Sequence, residues 1–193
     1  MTIYATHIGE ALRISASEMR TLIKGSFLHD VGKVGIPDGI LLKPSRLDPQ
    51  EMSVMQTHVA KGMEIVQQSA WLHEGCDIVR YHHEKFGGGG YPLGLKGEEI
   101  PLAARIFAVS DVFDALTSLR PYKKPLTFNE TMDILEQERG HHFDPIVLDS
   151  FGNIAQMLFD RYNGRDGADL KDELARVVMK YFPAGTETLR YGE

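Results

Sequence analysis

Cysteine is nearly missing from this chain. Cys76 is the one thiol among 193 residues, so no disulfide can close within the chain, which fits a reducing compartment. The thiol itself reads as a small buried hydrophobe. Long apolar runs are missing too: the longest, such as Ala103 to Val109, fall far short of the ~20 residues that span a bilayer. No basic-then-apolar leader opens the sequence, so no secretion is expected and a cytoplasmic location is. Positive charge is in deficit, with 21 Lys and Arg against 27 Asp and Glu and a net charge of −6. That argues against a nucleic-acid polymer as partner, since such binding rests on neutralising many phosphates. A small phosphorylated ligand is still compatible, because bound divalent metals reverse the local field. Repeats, low-complexity linkers and coiled-coil heptads are absent as well.

What is there reads as helix almost throughout, so the expected fold class is all-α. With 42% apolar residues, the chain can build one sizeable core. Residues 1–183 read as a single domain and 184–193 as a tail. Ser15-Ala16-Ser17-Glu18 starts a helix that runs through Leu22, Ile23, Phe27 and Leu28 to His29-Asp30, where Gly32, Gly35 and Pro37 break it. A helix from about Asp48 to Gln68 carries Met55, His58, Val59, Met63 and Val66 at helical spacing. A further helix ends at His82-His83-Glu84, and a long loop from Phe86 to Pro101 contains Gly87-Gly88-Gly89-Gly90. A loop of that length inside a compact domain is more often functional than idle. Leu102 to Ser118 is a central helix, with Ala104, Phe107, Ala108, Asp111 and Ala115 on one face and Asp114 one turn beyond Asp111. Helices near 128–139, 145–162 and 170–181 follow.

Ionisable groups in these apolar contexts are the informative part. An adjacent imidazole and carboxylate, His29-Asp30, are costly to bury without a purpose. His58 alone is more often a satisfied core histidine. Asp111 in a buried stripe is harder to excuse, because Asp is almost never buried unpaired. With the doublet His82-His83 they make four imidazoles and two carboxylates, a donor set for two divalent metals. His29, Asp30 and Asp111 would form one site; His58, His82 and His83 the other, with Asp30 bridging through its two oxygens. Two metals about 3.5–4 Å apart can share a hydroxide and clamp a phosphate for in-line attack. Lys33 is placed to hold a phosphate oxygen. His7, His73, His141 and His142 read as surface or packing residues.

These residues fall in blocks that resemble a known family. His29-Asp30-Val31-Gly32-Lys33, Ile36-Pro37-Asp38, His82-His83-Glu84, Gly90-Tyr91-Pro92, Asp111-Val112-Phe113-Asp114-Ala115-Leu116-Thr117-Ser118, Arg120-Pro121-Tyr122-Lys123, and Gly140 with Phe143-Asp144-Pro145 are similar, in order, to the HD-GYP domain. That domain is a branch of the HD phosphohydrolases. The resemblance implies a helical bundle of about six to eight helices. It implies a centre of two divalent metals, iron first, with manganese, nickel or zinc as alternatives. It also implies hydrolysis of cyclic di-GMP to linear pGpG, and onward to GMP, by attack of a metal-bridging hydroxide. By motif, the metal ligands are His29, Asp30, His58, His82, His83 and Asp111, and Lys33 acts with Asp30 in catalysis. Tyr91, Asp114, Arg120 and Lys123 resemble residues that contact the dinucleotide. A sensor or receiver domain, or a GGDEF-domain partner, is implied for the full-length protein.

Three positions depart from the pattern. Gly87 stands where the family usually has an aspartate, and Leu119 where an acidic residue is common. A further first-helix histidine of the family would lie before Met1, so the domain reads as beginning within its first helix. Gly87 and the missing first-helix histidine favour one alternative, a degenerate module that binds a cyclic dinucleotide or a protein without turnover. A second is a phosphodiesterase for cyclic GMP-AMP, because nothing in the sequence reads guanine against adenine.

Overall fold

A computed structural model describes residues 1–119, 124–163 and 168–183. The described residues are helical with no strand; an isolated bridge joins Arg139 and Phe143. In chain order the helices are α1 (Thr2–Ala11), α2 (Ala16–Leu28), α3 (Asp38–Leu41), α4 (Pro49–Gln56), α5 (His58–Val66), α6 (Ala70–His73), α7 (Cys76–Tyr81), α8 (Leu102–Thr117), α9 (Phe128–Gln137), α10 (Pro145–Tyr162) and α11 (Ala168–Tyr181). Short 3₁₀ turns occupy Val31–Gly35 and Gly97–Glu99. The all-α expectation is borne out.

Local chemistry sets where the helices start. Ser15, Asp48 and Thr127 each accept the N–H three residues on, and Glu18, Glu51 and Glu130 bond back, forming three reciprocal capping boxes. Asp144 caps α10 through the N–H of Ile146. α8 is apolar over most of its surface and lies at the centre, in contact with α1, α2, α7, α9 and α10. Its Phe107, Val109 and Phe113 join Ile8 of α1, Leu22 of α2, and Phe151 and Leu158 of α10 in the main core.

A smaller cluster of Met63, Val66 and Val79, with Leu28, Val31 and Cys76 against it, joins the ends of α2, α5 and α7. Here two backbones nearly touch. A Cβ on Gly32 would fall 1.9 Å from the His58 carbonyl oxygen and 2.4 Å from the Gly62 nitrogen. Only a residue without a side chain lets the 3₁₀ turn after Asp30 lie flat on α5.

The single helix expected over 48–68 is two helices. Thr57 sends both its N–H and its hydroxyl to the Val54 carbonyl, at 3.1 and 2.7 Å. This three-residue bond tightens the turn and restarts the helix at His58. His58 therefore stands at a helix boundary, as His29 and His82 do.

Candidate metal centre

Helix ends supply the histidines, and helix ends carry carbonyls with no intrahelical partner. His29 follows α2, and its Nδ1 donates to the Ser26 carbonyl at 2.9 Å. His82 follows α7, and its Nδ1 bonds the Ile78 carbonyl at 2.9 Å and that of Val79 at 3.2 Å. His58 opens α5, and its Nδ1 reaches the Met55 carbonyl of α4 at 2.7 Å. A carbonyl oxygen can only accept, so Nδ1 carries a proton in each ring. In His58 and His82 that leaves the lone pair on Nε2, whereas His29 Nε2 donates to the Asp30 carboxylate. Backbone bonds of this kind fix the tautomer and aim of metal-binding imidazoles.

The three Nε2 atoms point to Asp30. His58 Nε2 lies 3.6 Å and His82 Nε2 3.9 Å from its Oδ1; His29 Nε2 lies 3.2 Å from its Oδ2. The two carboxylate oxygens thus face different imidazoles. Lys33 donates to Oδ2 at 2.6 Å. Nitrogen and oxygen ligand atoms of Asp30, His58, His82 and His83 all fall within 4.8 Å of one another. His58 Nε2 and His82 Nε2 face each other at 3.4 Å, lone pair toward lone pair, an arrangement that a cation between them relieves. The donor set, neutral imidazoles around an ionised carboxylate, fits a divalent metal.

Electrostatics agree with that donor set. Burial pushes His58, His82 and His83 below the ordinary imidazole range, His82 to about 4 and His83 to about 2. For His29, burial also acts downward, but the hydrogen bond and charge of Asp30 outweigh it and the net shift is upward. Burial would raise the Asp30 carboxyl; hydrogen bonds from His29 and Lys33 win and hold it well below the usual range. Burial raises Asp111, with His29 pulling back and Asp30 and Asp114 adding to the rise. Asp111 is not one of the four residues whose ligand atoms fall within 4.8 Å of one another.

The residues expected to meet substrate are distributed as follows. The Tyr91 ring stacks on His83, centroids 4.5 Å apart and planes 22° from parallel; burial, then the charge of Asp30, pushes its phenol up to about 12. Asp114 accepts from the Met1 ammonium at 2.7 Å and borders a cleft of about 770 Å³ that opens beside His29. Arg120 and Lys123 lie outside the described residues. An apolar groove of about 570 Å³ between α2, α6 and α11, lined by Phe27, Trp71 and Tyr181 among others, carries none of the candidate ligands.

Of the other histidines, His7 stacks on Tyr162 and lies 3.1 Å from Glu173, His142 stacks on Phe143, and His141 is exposed beside Glu138. Sequence reasoning passed over Glu84. It is buried, and its carboxylate accepts from three N–H groups of the loop that carries Tyr91. The available signal was an acid directly after the His doublet and ahead of a glycine-rich loop.

A family profile described as HD domain matches residues 1–147. The chain is 46% identical over 146 residues to a "Probable cyclic di-GMP phosphodiesterase" of Vibrio cholerae, covering 72% of this chain and 33% of that protein. It is 41% identical over 151 residues to the 3'3'-cGAMP-specific phosphodiesterase 2 of the same organism, covering 77% and 29%. The chain thus spans about a third of these curated relatives. Among solved structures, a cyclic GMP-AMP specific phosphodiesterase of V. cholerae superposes with a TM-score of 0.64 at 18% identity, over 95% of this chain and 55% of that one; this is a likeness of fold. The blocks read from the sequence, the helical architecture and the profile match agree, and the chain belongs to the HD domain family.

Proposed function

We propose that this domain is a metal-dependent phosphodiesterase that opens cyclic di-GMP to linear pGpG, and onward to GMP. The observation that carries the reading is Asp30 between two sets of imidazoles, with Lys33 on one of its oxygens. In this reading His58, His82 and His83 would hold one divalent ion and His29 and Asp111 a second, with Asp30 contributing to both. Iron is the first choice, with manganese, nickel or zinc as alternatives. When bound, such ions supply Lewis acidity to a phosphoryl oxygen and lower the pKa of a water.

The chain's own residues do the rest. Asp30 stays ionised and fixes the spacing of the two halves of the site. The rings of His58, His82 and His83, held neutral by burial, need no proton removed at physiological pH. Lys33, half-exposed at the rim, offers a point charge to the phosphate as negative charge gathers in the transition state. Tyr91 gives a base or ribose a flat surface beside His83, and Asp114 borders the neighbouring cleft; Arg120 and Lys123 are assigned to the dinucleotide by the sequence motif alone. A cytoplasmic location, a single domain over 1–183, and linkage to a sensor, receiver or GGDEF domain belong to the same reading. Among the described residues no helix is long and apolar enough to cross a membrane.

Cyclic GMP-AMP is the second substrate to weigh, because relatives of similar identity carry both names. Incubating iron- or manganese-loaded protein with both cyclic dinucleotides, side by side, tests the proposal. Linear dinucleotide is the expected product. Binding without cleavage would favour a non-catalytic module instead. Element analysis gives an independent check: two metal equivalents per chain are expected, with both weakened in Asp30→Ala. One equivalent that survives the substitution removes the shared-carboxylate assignment.

A further inference from the structure

Glu84 is 2% exposed, yet it touches no substrate cleft and is no metal-ligand candidate. Its Oε1 accepts from the N–H groups of Leu93 at 2.8 Å and Gly94 at 3.2 Å, and its Oε2 from Leu95 at 3.0 Å. Pro92, Leu93 and Gly94 are themselves exposed, so a buried carboxylate does for this loop what a neighbouring strand does in a sheet. Bonds from backbone N–H groups to an ionised carboxylate are among the stronger ones a loop can make.

The anchor fixes more than the loop. At the loop's base the Tyr91 N–H donates to the His83 carbonyl at 3.2 Å. Gly90 lies so close that a Cβ there would fall 2.5 Å from the Glu84 Cα and 2.6 Å from the His83 carbonyl oxygen. Between these points the Tyr91 ring is pressed onto His83. That contact matters because His83 is held differently from its neighbours. His29, His58 and His82 are each aimed by an Nδ1 bond to a carbonyl. Among the described residues, the His83 ring instead meets other rings: His82 at 4.0 Å, His58 at 5.1 Å and Tyr91 at 4.5 Å.

We infer that Glu84 is a positioning residue for the metal centre: by anchoring 93–95 it holds Tyr91 flat against His83, and so fixes where His83 presents its ligand nitrogen. The inference rests on the metal-centre reading above. It assigns Tyr91 a task in the absence of substrate, and it makes Glu84 act through two intermediaries.

Glu84→Gln tests it at constant size. The amide keeps one acceptor oxygen and turns an N–H₂ toward an N–H it cannot bond. Chelator-treated protein is titrated with Co²⁺, whose visible absorption reports ligand set and geometry. The expected result is one cobalt bound about 10- to 100-fold more weakly than in the unsubstituted protein, with an altered spectrum, as for other residues that orient a ligand from outside the coordination sphere. Tyr91→Ala, which leaves the Glu84 anchor intact, is expected to give the same loss. Tyr91→Phe, which keeps the ring, is expected to retain the unsubstituted protein's affinity and spectrum. A lower melting temperature of Glu84→Gln with unchanged cobalt binding overturns the inference, since Glu84 then merely scaffolds the loop. Unchanged binding in Tyr91→Ala overturns it as well, and does so even if Glu84→Gln fails to fold. Failure of the unsubstituted protein to take up cobalt is a separate outcome, and it removes the metal-centre reading itself.

Discussion

Each imidazole of the centre is a compromise between burial and protonation, and the compromise has a sign. Burial lowers His58, His82 and His83, and it lowers His142, away from the centre, to about 4. In the unfolded chain these rings take up protons as pH falls through ~6.5. The folded metal-free protein resists protonating them, so the unfolded state binds more protons and stability falls on acidification. His29 works the other way. Its raised value contributes stability that is full below ~6.5 and lost as pH rises through the folded value. Asp30, held low, contributes fully above ~3.9 and loses that contribution only at lower pH. Five lowered rings, His7 among them, against one raised ring predict that chelator-treated protein unfolds at lower urea concentration at pH 5 than at pH 7. Equal midpoints would mean the rings are already protonated in the folded state. The candidate ligands were readable at this scale, because ionisable residues on apolar faces are rare. Which carbonyl each Nδ1 bonds was not, since that depends on where three separate helices end.

At the scale of elements, the site is assembled where the turn after Asp30 lies against α5. Gly32 makes the approach possible, since its missing Cβ leaves room for the His58 carbonyl and the Gly62 backbone. Gly32→Ala therefore forces two backbones apart, and no flexible side chain can yield. The expected cost is about 3 kcal/mol, at the upper end for overpacking, read as a shift in denaturant midpoint at unchanged slope. Metal affinity should fall with it, because Asp30 and His58 sit on the two backbones that separate. A substitution tolerated without either change would show that the contact is loose. The helices themselves were legible from capping boxes and apolar spacing, and the expected ranges for 102–118 and 145–162 lie close to α8 and α10. The break at Thr57 was not legible. Threonine is common inside helices, and its hydroxyl bond to Val54 decides the matter only in the folded backbone.

For the molecule as a whole, the ligand candidates come from the end of α2, the start of α5, the end of α7 and the middle of α8, spread from residue 29 to residue 111. A two-ion centre sharing Asp30 would tie these distant parts of the chain and bind only the folded form. Removing it with a chelator should lower the melting temperature, by the equivalent of about 2.7 kcal/mol when free metal had stood at a hundred times its dissociation constant. Calorimetry with and without chelator checks this; an unchanged melting temperature would mean the four segments are not joined by an ion. The remaining frame depends less on charge. Glu10 on α1 accepts from Lys180 at 2.9 Å and from the Tyr181 hydroxyl at 3.1 Å on α11. Exposed pairs of this kind contribute little, whereas Val177 and Tyr181 bury apolar surface in the core. By itself the amino-acid sequence determined the all-helical class, the family and the set of ionisable residues, because periodicity, caps and the cost of burying charge are local properties. Only the tertiary structure decided that Asp30 turns its two oxygens to different imidazoles, that His83 is held by a ring and not a carbonyl, and that Glu84 secures the loop. Those facts are distances between segments far apart in the chain, and no local rule sets them.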